Sequence, residues 1–509
     1  MQKPLFLTKS RYVSGLQCFK WIWLAFNDPD ALPKIDEATQ HRFDEGHQIG
    51  ELSKKLFPNG IEVKEQLNHQ KNDKESRELL VKRKPLFEAG FIHKDGKCYA
   101  RADILVPIGK KDEWDIYEVK SSTSVKDEYI EDIAFQKYCY ESAGVKIRNC
   151  FVVHINNQFV KQGEIDPKEF FVIAPVTDEV ADEINNVEGN LKKLFKIIAL
   201  KEAPEIKVGE SCCLGTDGYE NRGFCVIHEN DKIWKDNPKC DIFDLYRGGK
   251  KSLELFNLGI LRIKELEGHK LNDKQQIQHK THKSGKHHSD VGELKKFVKS
   301  LTYPLYFMDF ETYATAIPLY DGLKPYQAIP FQFSVHVIEK KGAKPKHHSF
   351  IASGSADPRK EFAKNLKSVI GQKGTVLAYY QSFEKSRLKE LAEFLPENAK
   401  WIENVMERMI DLYDPFKNFS YYNPSQKGSA SLKEVLPALT GKDHYCELEI
   451  GNGTDASLAY LHITHGSHDG KKPTAEEIKE VRAGLEKYCG LDTEGMIWIL
   501  EKLEEMIKA

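Results

Sequence analysis

The sequence predicts an α/β chain of two or three domains, and three observations predict it. The chain has 509 residues, more than a single core serves at roughly 100–200 residues per domain. Apolar runs of strand length alternate with helix-like segments across residues 84–160, and a periodic pattern resumes after residue 293. Two of the strand-like runs, well apart in the chain, carry acidic residues at their ends.

Composition narrows the class. Hydrophobic residues make up 40% and charged residues 30%, as in an ordinary soluble globular protein. The 75 basic and 77 acidic side chains leave a net charge of −2, so any phosphate-binding surface is a local patch. No run approaches the ~18 apolar residues of a membrane span. The start, MQKPLFLTKSRYVSGLQC, lacks the long apolar core and small-residue cleavage site of a signal peptide. The expectation is a cytoplasmic protein with no membrane partner. Ten cysteines in that setting point to metal or chance and not to a disulfide framework.

The elements follow in order. Residues 1–60 read as helical, including F-D-E-G-H-Q-I-G-E-L with His47, Gly50 and Glu51. Residues 101–140 then read R-A-D-I-L, Y-E-V-K and Q-K-Y-C-Y. Asp103 sits on one strand-like run, and Glu118 and Lys120 share a face of the next because side chains two apart point the same way. Paired as a hairpin, the runs bring three polar groups to one spot. Two carboxylates there suit a hard divalent cation, Mg²⁺ or Mn²⁺, and a lysine suits an attacking water or a charged phosphate. Gln136 and Tyr140, four apart, share one helix face beyond. R-N-C-F-V-V-H-I is a further buried strand, and 176–203 reads as helix.

These residues resemble the PD-(D/E)xK nucleases, specifically the RecB-like branch in which a Q-x-x-x-Y helix follows the E-x-K strand. The resemblance implies a restriction-endonuclease-like fold in which Asp103 and Glu118 hold the metal, Lys120 acts at the reacting phosphate, and Gln136 and Tyr140 support the site. Where that branch carries the histidine of G-x-x-x-H, this chain has Gly50; the adjacent Glu51 is the expected replacement ligand, with His47 one turn earlier.

Cys18 lies where the iron–sulfur members, similar to the CRISPR-adaptation and AddB nucleases, place their first cluster cysteine. Four more cysteines fall in 209–240. The resemblance implies a 4Fe–4S cluster on Cys18, Cys212, Cys225 and Cys240, with Cys213 competing for the place of Cys212 and zinc as the alternative metal. Cys98, Cys139, Cys150, Cys446 and Cys489 read as buried small hydrophobes.

The stretch after Cys240 reads as a small helical module, and 268–290, with H-K-T-H-K-S-G-K-H-H, as a mobile basic linker. The apolar strand 304–312 carries Asp309 and Glu311. V-L-A-Y-Y-Q-S-F-E-K places Glu384 after another strand, and K-Y-C-G-L-D places Tyr488 and Asp492 on a helix over 474–508 opened by a Thr474–Glu477 capping box. This set is similar to the DnaQ-like (DEDDy) exonucleases of the RNase H-like fold. The resemblance implies that Asp309, Glu311, Glu384 and Asp492 hold two metals while Tyr488 orients water. Two positions depart from that pattern. Glu384 stands for the usual middle aspartate, with Asp411 as another available acid, and Tyr380 followed by Gln381 stands where an asparagine is usual.

Together with 325–337 and 428–439, the motifs resemble a bacterial family that joins a RecB-like nuclease to a DnaQ-like C-terminal domain of unknown function. The expected division is 1–248, nuclease with cysteine cluster; 249–298, helical module and linker; and 299–509, exonuclease-like domain. The expected activity is metal-dependent hydrolysis of DNA in repair or anti-phage defence. RNA is the alternative substrate, and a nucleic-acid-binding scaffold with a degenerate C-terminal site is the alternative class. With no Walker loop, ATP hydrolysis would come from a helicase or defence-system partner.

Overall fold

The computed structural model describes residues 6–109, 111–205, 208, 235–237, 239–466 and 472–508. The chain is mixed α/β and divides into two compact units, Met1–Asp236 with Thr315–Gln327, and Asn237–Ala314 with Ala328–Ala509. The first division therefore falls at Asp236 and not at 248, and the stretch 249–298 goes with the second unit.

In the first unit the elements run β1 (Leu7–Thr8), α1 (Lys9–Gln17), α2 (Phe19–Asn27), α3 (Glu37–Lys54), β2 (Ile61–Glu62), α4 (His69–Leu80), β3 (Leu86–Ile92), β4 (Cys98–Pro107), β5 (Trp114–Lys120), α5 (Asp127–Ser142), β6 (Ile147–Ile155), α6 (Pro167–Phe170), β7 (Phe171–Pro175) and α7 (Thr177–Ile198). The sheet has the order β2-β3-β4-β5-β6-β7, with β1 also pairing β4. Strands β3, β4 and β5 are antiparallel neighbours, whereas β5 and β6 are parallel. Parallel neighbours need a crossover, and α5 is that crossover.

Strand β5 explains where this unit keeps its chemistry. Trp114 and Ile116 are buried in the core shared with Ile133, Phe135 and Tyr140 of α5. The next two residues on that face are Glu118 and Lys120, so an apolar face turns charged at its C-terminal end. Each large apolar side chain buried there contributes roughly 1.5–3 kcal/mol, enough to hold two charged groups at the rim. Tyr117 and Val119 point the other way, into a smaller cluster with Ile49, Val153 and Ala316.

In the second unit the elements are α8 (Gly249–Asn257), α9 (Asp273–Ser284), β8 (His288–Ser289), α10 (Val291–Ser300), β9 (Leu305–Tyr313), β10 (Ile329–Ile338), β11 (Lys346–Ile351), α11 (Arg359–Val369), β12 (Thr375–Ala378), α12 (Ser382–Phe394), α13 (Ala399–Glu407), β13 (Met409–Asp411), α14 (Asp414–Lys417), β14 (Tyr421–Tyr422), α15 (Leu432–Thr440), α16 (Gly453–His465) and α17 (Ala475–Met506). The larger sheet has the order β11-β10-β9-β12-β13; β9, β10 and β11 are antiparallel, and β12 and β13 run parallel to β9. Tyr306, Met308 and Phe310 face the core with α11, α12 and α13, so the odd positions, Asp309 and Glu311 among them, face the other side. Helix α17 opens on the expected Thr474–Glu477 capping box.

The stretch 268–290 is not a linker over its length: 273–284 forms α9, with an Asn272–Gln275 capping box and Gly285 at φ +69° closing it. Its inner face is polar. Gln278 accepts from the Tyr246 amide at 2.6 Å and donates to the Asp244 carbonyl at 3.0 Å, and Gln275 donates to the Tyr246 carbonyl at 3.0 Å. Hydrogen bonds to backbone replace the apolar stripe by which a helix is usually read. Among the described residues no helix is long and apolar enough to cross a membrane.

Candidate active sites

Each unit gathers carboxylates at the C-terminal end of a central strand. In the first unit, β4 and β5 pair antiparallel with Ile104 opposite Tyr117, which carries Asp103 alongside Glu118. Asp103 Oδ2 accepts the Val119 amide at 2.7 Å. Glu118 is 1% exposed. Its Oε1 accepts from Lys9 at 2.6 Å and Lys120 at 2.8 Å, and its Oε2 accepts from Gln136 Nε2 at 2.8 Å. Lys120 also donates to Asp132 Oδ2 at 2.7 Å and lies 5.2 Å from the centre of the Tyr129 ring. Burial works against the charge on both lysines, but the carboxylates of Glu118, Asp132 and Asp103 outweigh it and push them above the ordinary lysine range.

Sequence reading brings out Asp103, Glu118, Lys120 and Gln136 here and misses Lys9 and Asp132. Asp132 lies one helical turn before Gln136, which donates to it at 3.1 Å; the i,i+4 spacing is its signal. Lys9 is 109 residues from Glu118, and no spacing announces it. Tyr140 is fully buried. Its hydroxyl donates to the Ala89 carbonyl and accepts the Ala102 amide at 2.8 Å. It therefore clamps β3 and β4 next to Asp103 and acts on the site through the backbone. Glu51 departs from expectation: it is exposed and pairs with Lys54 at 2.5 Å, and Lys54 reaches Glu62 at the β2 edge. His47 is exposed as well. The acid of α3 that holds a neighbouring segment is Glu45, which accepts the Ala316 amide at 2.7 Å. On the same segment Tyr326, at φ +58°, donates its hydroxyl to the carbonyl of Ser121, next to Lys120.

In the second unit, Asp309 and Glu311 lie opposite Ser334 and Gln332 of β10. Strand β12 pairs β9 from Leu305 to Phe307, so both acids lie past the end of that ladder. Helix α17 brings Tyr488, Cys489 and Asp492, all buried. Ligand atoms of Asp309, Glu311 and Cys489 lie within 4.8 Å of one another. Cys489 Sγ is 3.5 Å from Asp309 Oδ2, so this cysteine, expected to be core filler, is buried inside the acid cluster. Cys446, expected to be buried, is exposed. Tyr445 donates to Asp492 Oδ1 at 2.5 Å, and the Lys433 ammonium lies 5.1 Å from the Tyr488 ring centre.

Glu384, in the first turn of α12, is 3% exposed, and its Oε2 has no hydrogen-bond partner among the described residues. Its charge reaches Asp309 and Glu311. Asp411 is otherwise engaged: its oxygens accept the amides of Tyr380 at 2.8 Å, Gln381 at 3.1 Å and Tyr413 at 3.1 Å. It shapes the turn that launches Glu384. In that turn Tyr380 has φ +69°, a left-handed conformation that asparagine adopts more readily than tyrosine.

The electrostatics of this cluster are those of excess negative charge. Burial first, then Asp492, Glu311 and Glu384, pushes Asp309 well above the carboxylate range. Burial and Asp492 push Glu311 up to about 8, against Lys433. Burial pushes Glu384 up to about 8, with Asp411 adding to it. Burial raises Asp492 to about 6, opposed by the Tyr445 hydrogen bond and Lys433. Burial and the same acids push both tyrosines up, so they remain neutral donors. Four carboxylates, one with an orphaned buried oxygen, form a donor set that fits hard divalent cations. The first site fits less simply, because two lysines already share Glu118.

Of the expected cluster cysteines, Cys212 and Cys225, like Cys213, lie outside the described residues. Cys18, in the first unit, is buried between α1 and α2 and accepts the Trp21 amide at 3.3 Å. Cys240, in the second unit, packs beside Ile242 and Leu245, and burial raises its thiol to about 11.

Comparison with known proteins places a family described as a domain of unknown function (DUF2779) on residues 306–431, which hold Asp309, Glu311 and Glu384. An uncharacterized protein of Ureaplasma parvum is 30% identical over 179 residues, 31% of this chain and 25% of its own length. Uncharacterized proteins of Mycoplasma pneumoniae and Mycoplasma genitalium are 26% and 24% identical, over 38% and 40% of this chain and 31% and 32% of theirs. The matched stretch thus spans about a quarter to a third of these curated relatives.

Proposed function

We propose that the chain is a metal-dependent nuclease with two hydrolytic sites, one in each unit, acting on DNA. The observation that carries the reading is the cluster of half-buried Asp309 with buried Glu311, Glu384 and Asp492, whose raised proton affinities, and a Glu384 oxygen without a partner among the described residues, suit cationic charge. Strand order supports it. Three antiparallel strands followed by two parallel ones, β11-β10-β9-β12-β13, is the order of an RNase H-like sheet. The antiparallel β3-β4-β5, the crossover α5 and the parallel β6 suit a PD-(D/E)xK core.

Mg²⁺ or Mn²⁺, when bound, would lower the proton affinity of water and offset charge on the phosphate. The chain's own groups do the rest. In the second unit the Tyr445 hydroxyl fixes the rotamer of Asp492, and the Tyr488 hydroxyl, neutral and buried, positions an attacking water at a 3′ end. In the first unit Lys120, held by Glu118 and Asp132, presents an ammonium to the reacting phosphate, while Gln136 fixes the far oxygen of Glu118.

The test is degradation of end-labelled single- and double-stranded DNA, with matched RNA, in Mg²⁺ or Mn²⁺. Wild type, Lys120→Ala and Asp309→Ala are compared. Each substitution removes a different product pattern if both sites cut. Loss of neither pattern, or no cutting by anaerobically purified wild type, favours a binding scaffold. Cutting of RNA alone changes the substrate and keeps the chemistry.

A further inference from the structure

In the first site three carboxylates, Asp103, Glu118 and Asp132, face two ammonium groups. Lys120 bridges Glu118 and Asp132. Lys9 sits on Glu118 Oε1 at 2.6 Å, with Asp132 Oδ2 3.9 Å away. The two lysines are held differently. Lys120 belongs to β5, and its ammonium is committed to two acids. Lys9 is the first residue of α1, directly after β1, whose Leu7 and Thr8 pair with Cys98 and Tyr99 of β4. That pairing fixes the Lys9 backbone beside the strand that carries Asp103. Its side chain is 22% exposed and that of Lys120 21%, so what sets Lys9 apart is its single short ion pair: Asp132 Oδ2 lies 3.9 Å from Lys9 but 2.7 Å from Lys120.

We propose that Lys9 is a built-in counter-cation of the first site: it occupies Glu118 when no metal is bound and must leave Glu118 for a divalent cation to bind there. The inference rests on the metal-dependent reading above. Without Lys9, three carboxylates face Lys120 alone, a balance that a dication neutralises. With Lys9 in place, Glu118 Oε1 already accepts two ammonium groups and has little capacity for a third cation. Apparent metal affinity is then reduced by the fraction of molecules in which Lys9 has vacated the carboxylate. Metal-free protein gains in exchange a second counter-charge for its buried carboxylates.

The test is Mn²⁺ binding by titration calorimetry in a background of Asp309→Asn and Asp492→Asn, which silences the second cluster. Lys9→Met, which keeps length and removes charge, should tighten the dissociation constant by about tenfold or more. Lys9→Arg, whose planar fork grips a carboxylate with two bonds, should leave it unchanged or weaken it. Unchanged or weaker binding in Lys9→Met overturns the proposal, because a strut or a phosphate ligand would leave metal affinity alone.

A second measurement uses the wild-type side chain. Acetylation of Lys9 by an amine-reactive ester, read by mass spectrometry, should rise several-fold on adding Mn²⁺ to EDTA-treated protein. A constant or falling rate overturns the proposal. The wider reading fails separately: if the background protein shows no Mn²⁺ heat that Glu118→Gln removes, the first site is not a metal site and the inference falls with it. If that heat is present but indifferent to Lys9, only the inference falls.

Discussion

The hydroxyl of Tyr445 donates to Oδ1 of Asp492 at 2.5 Å, joining the segment after α15 to the C-terminal helix across 47 residues of sequence. Both groups are buried. Burial raises Asp492 to about 6, and the Tyr445 bond holds it from rising further by favouring the anion. Tyr445→Phe removes that donor. A hydrogen bond to a charged group is worth about 1.5–3 kcal/mol, or roughly one to two pH units. The titration of Asp492 in EDTA-treated protein, followed by carboxyl-carbon NMR, should therefore move upward by that amount. An unmoved titration would show that the Tyr445 hydroxyl does not favour the Asp492 anion.

The same cluster makes stability depend on pH and on metal. Glu311 and Glu384 are raised to about 8 and Asp492 to about 6 in the folded protein, whereas the unfolded values lie near 4. The folded state therefore binds more protons than the unfolded chain between those limits, and stability falls as pH rises. For metal-free protein the stabilisation is fully present below about pH 4 and is lost as pH climbs through 6 and then 8. Each tenfold difference in proton affinity between the folded and unfolded states corresponds to about 1.4 kcal/mol, so the loss is on the order of several kcal/mol. Thermal melts of EDTA-treated wild type and Glu384→Gln across pH 5–9 measure it. Mg²⁺ should restore the melting temperature of wild type most at the alkaline end. Glu384→Gln should raise the metal-free melting temperature there while weakening the response to Mg²⁺.

Tyr140 gives a prediction of a different kind, about the frame of the first site. Its hydroxyl joins the Ala89 carbonyl of β3 to the Ala102 amide of β4, in a fully buried position. Tyr140→Phe leaves two backbone groups without that partner, at roughly 1–3 kcal/mol each. Denaturant unfolding should show a loss of about 2–6 kcal/mol, and hydrogen exchange should rise along the β3–β4 pairing. Activity per folded molecule should fall less than in Lys120→Ala, because Tyr140 touches strands and not the acids.

What can be read in the sequence is what has a short period. Glu118 and Lys120 are two apart on a strand, Gln136 and Tyr140 four apart on a helix, and Thr474 with Glu477 opens α17 as expected. Strand and helix geometry alone places such pairs on one face. What escapes is set by tertiary contact. Lys9 reaches Glu118 across 109 residues and Tyr445 reaches Asp492 across 47, and no local pattern encodes either. Cys489 passes for filler because a thiol among apolar helix residues looks the same whether or not Asp309 lies opposite. Glu51 is singled out by adjacency to Gly50, but Lys54 and Glu62 hold that part of α3 toward the β2 edge. Helix α9 reads as linker because its buried face is made of Gln275, Gln278 and Thr281.

The metal ligation expected of the cysteines can be tested at Cys18 without disturbing the fold, and the reason is the residue's place in the chain. Cys18 ends α1 and begins α2, where its Sγ accepts the Trp21 amide at 3.3 Å. A Cys18→Ser substitution keeps an acceptor at that N-cap, and serine is among the best residues there. The cap survives, so any loss belongs to metal ligation. Serine also removes a soft thiolate, which iron–sulfur centres and structural zinc both require. Anaerobically purified wild type should carry iron, or zinc in its place, that Cys18→Ser lacks, while the circular dichroism of the two stays the same. Equal metal content in both proteins would take Cys18 out of the ligand set and leave it as the cap between two helices.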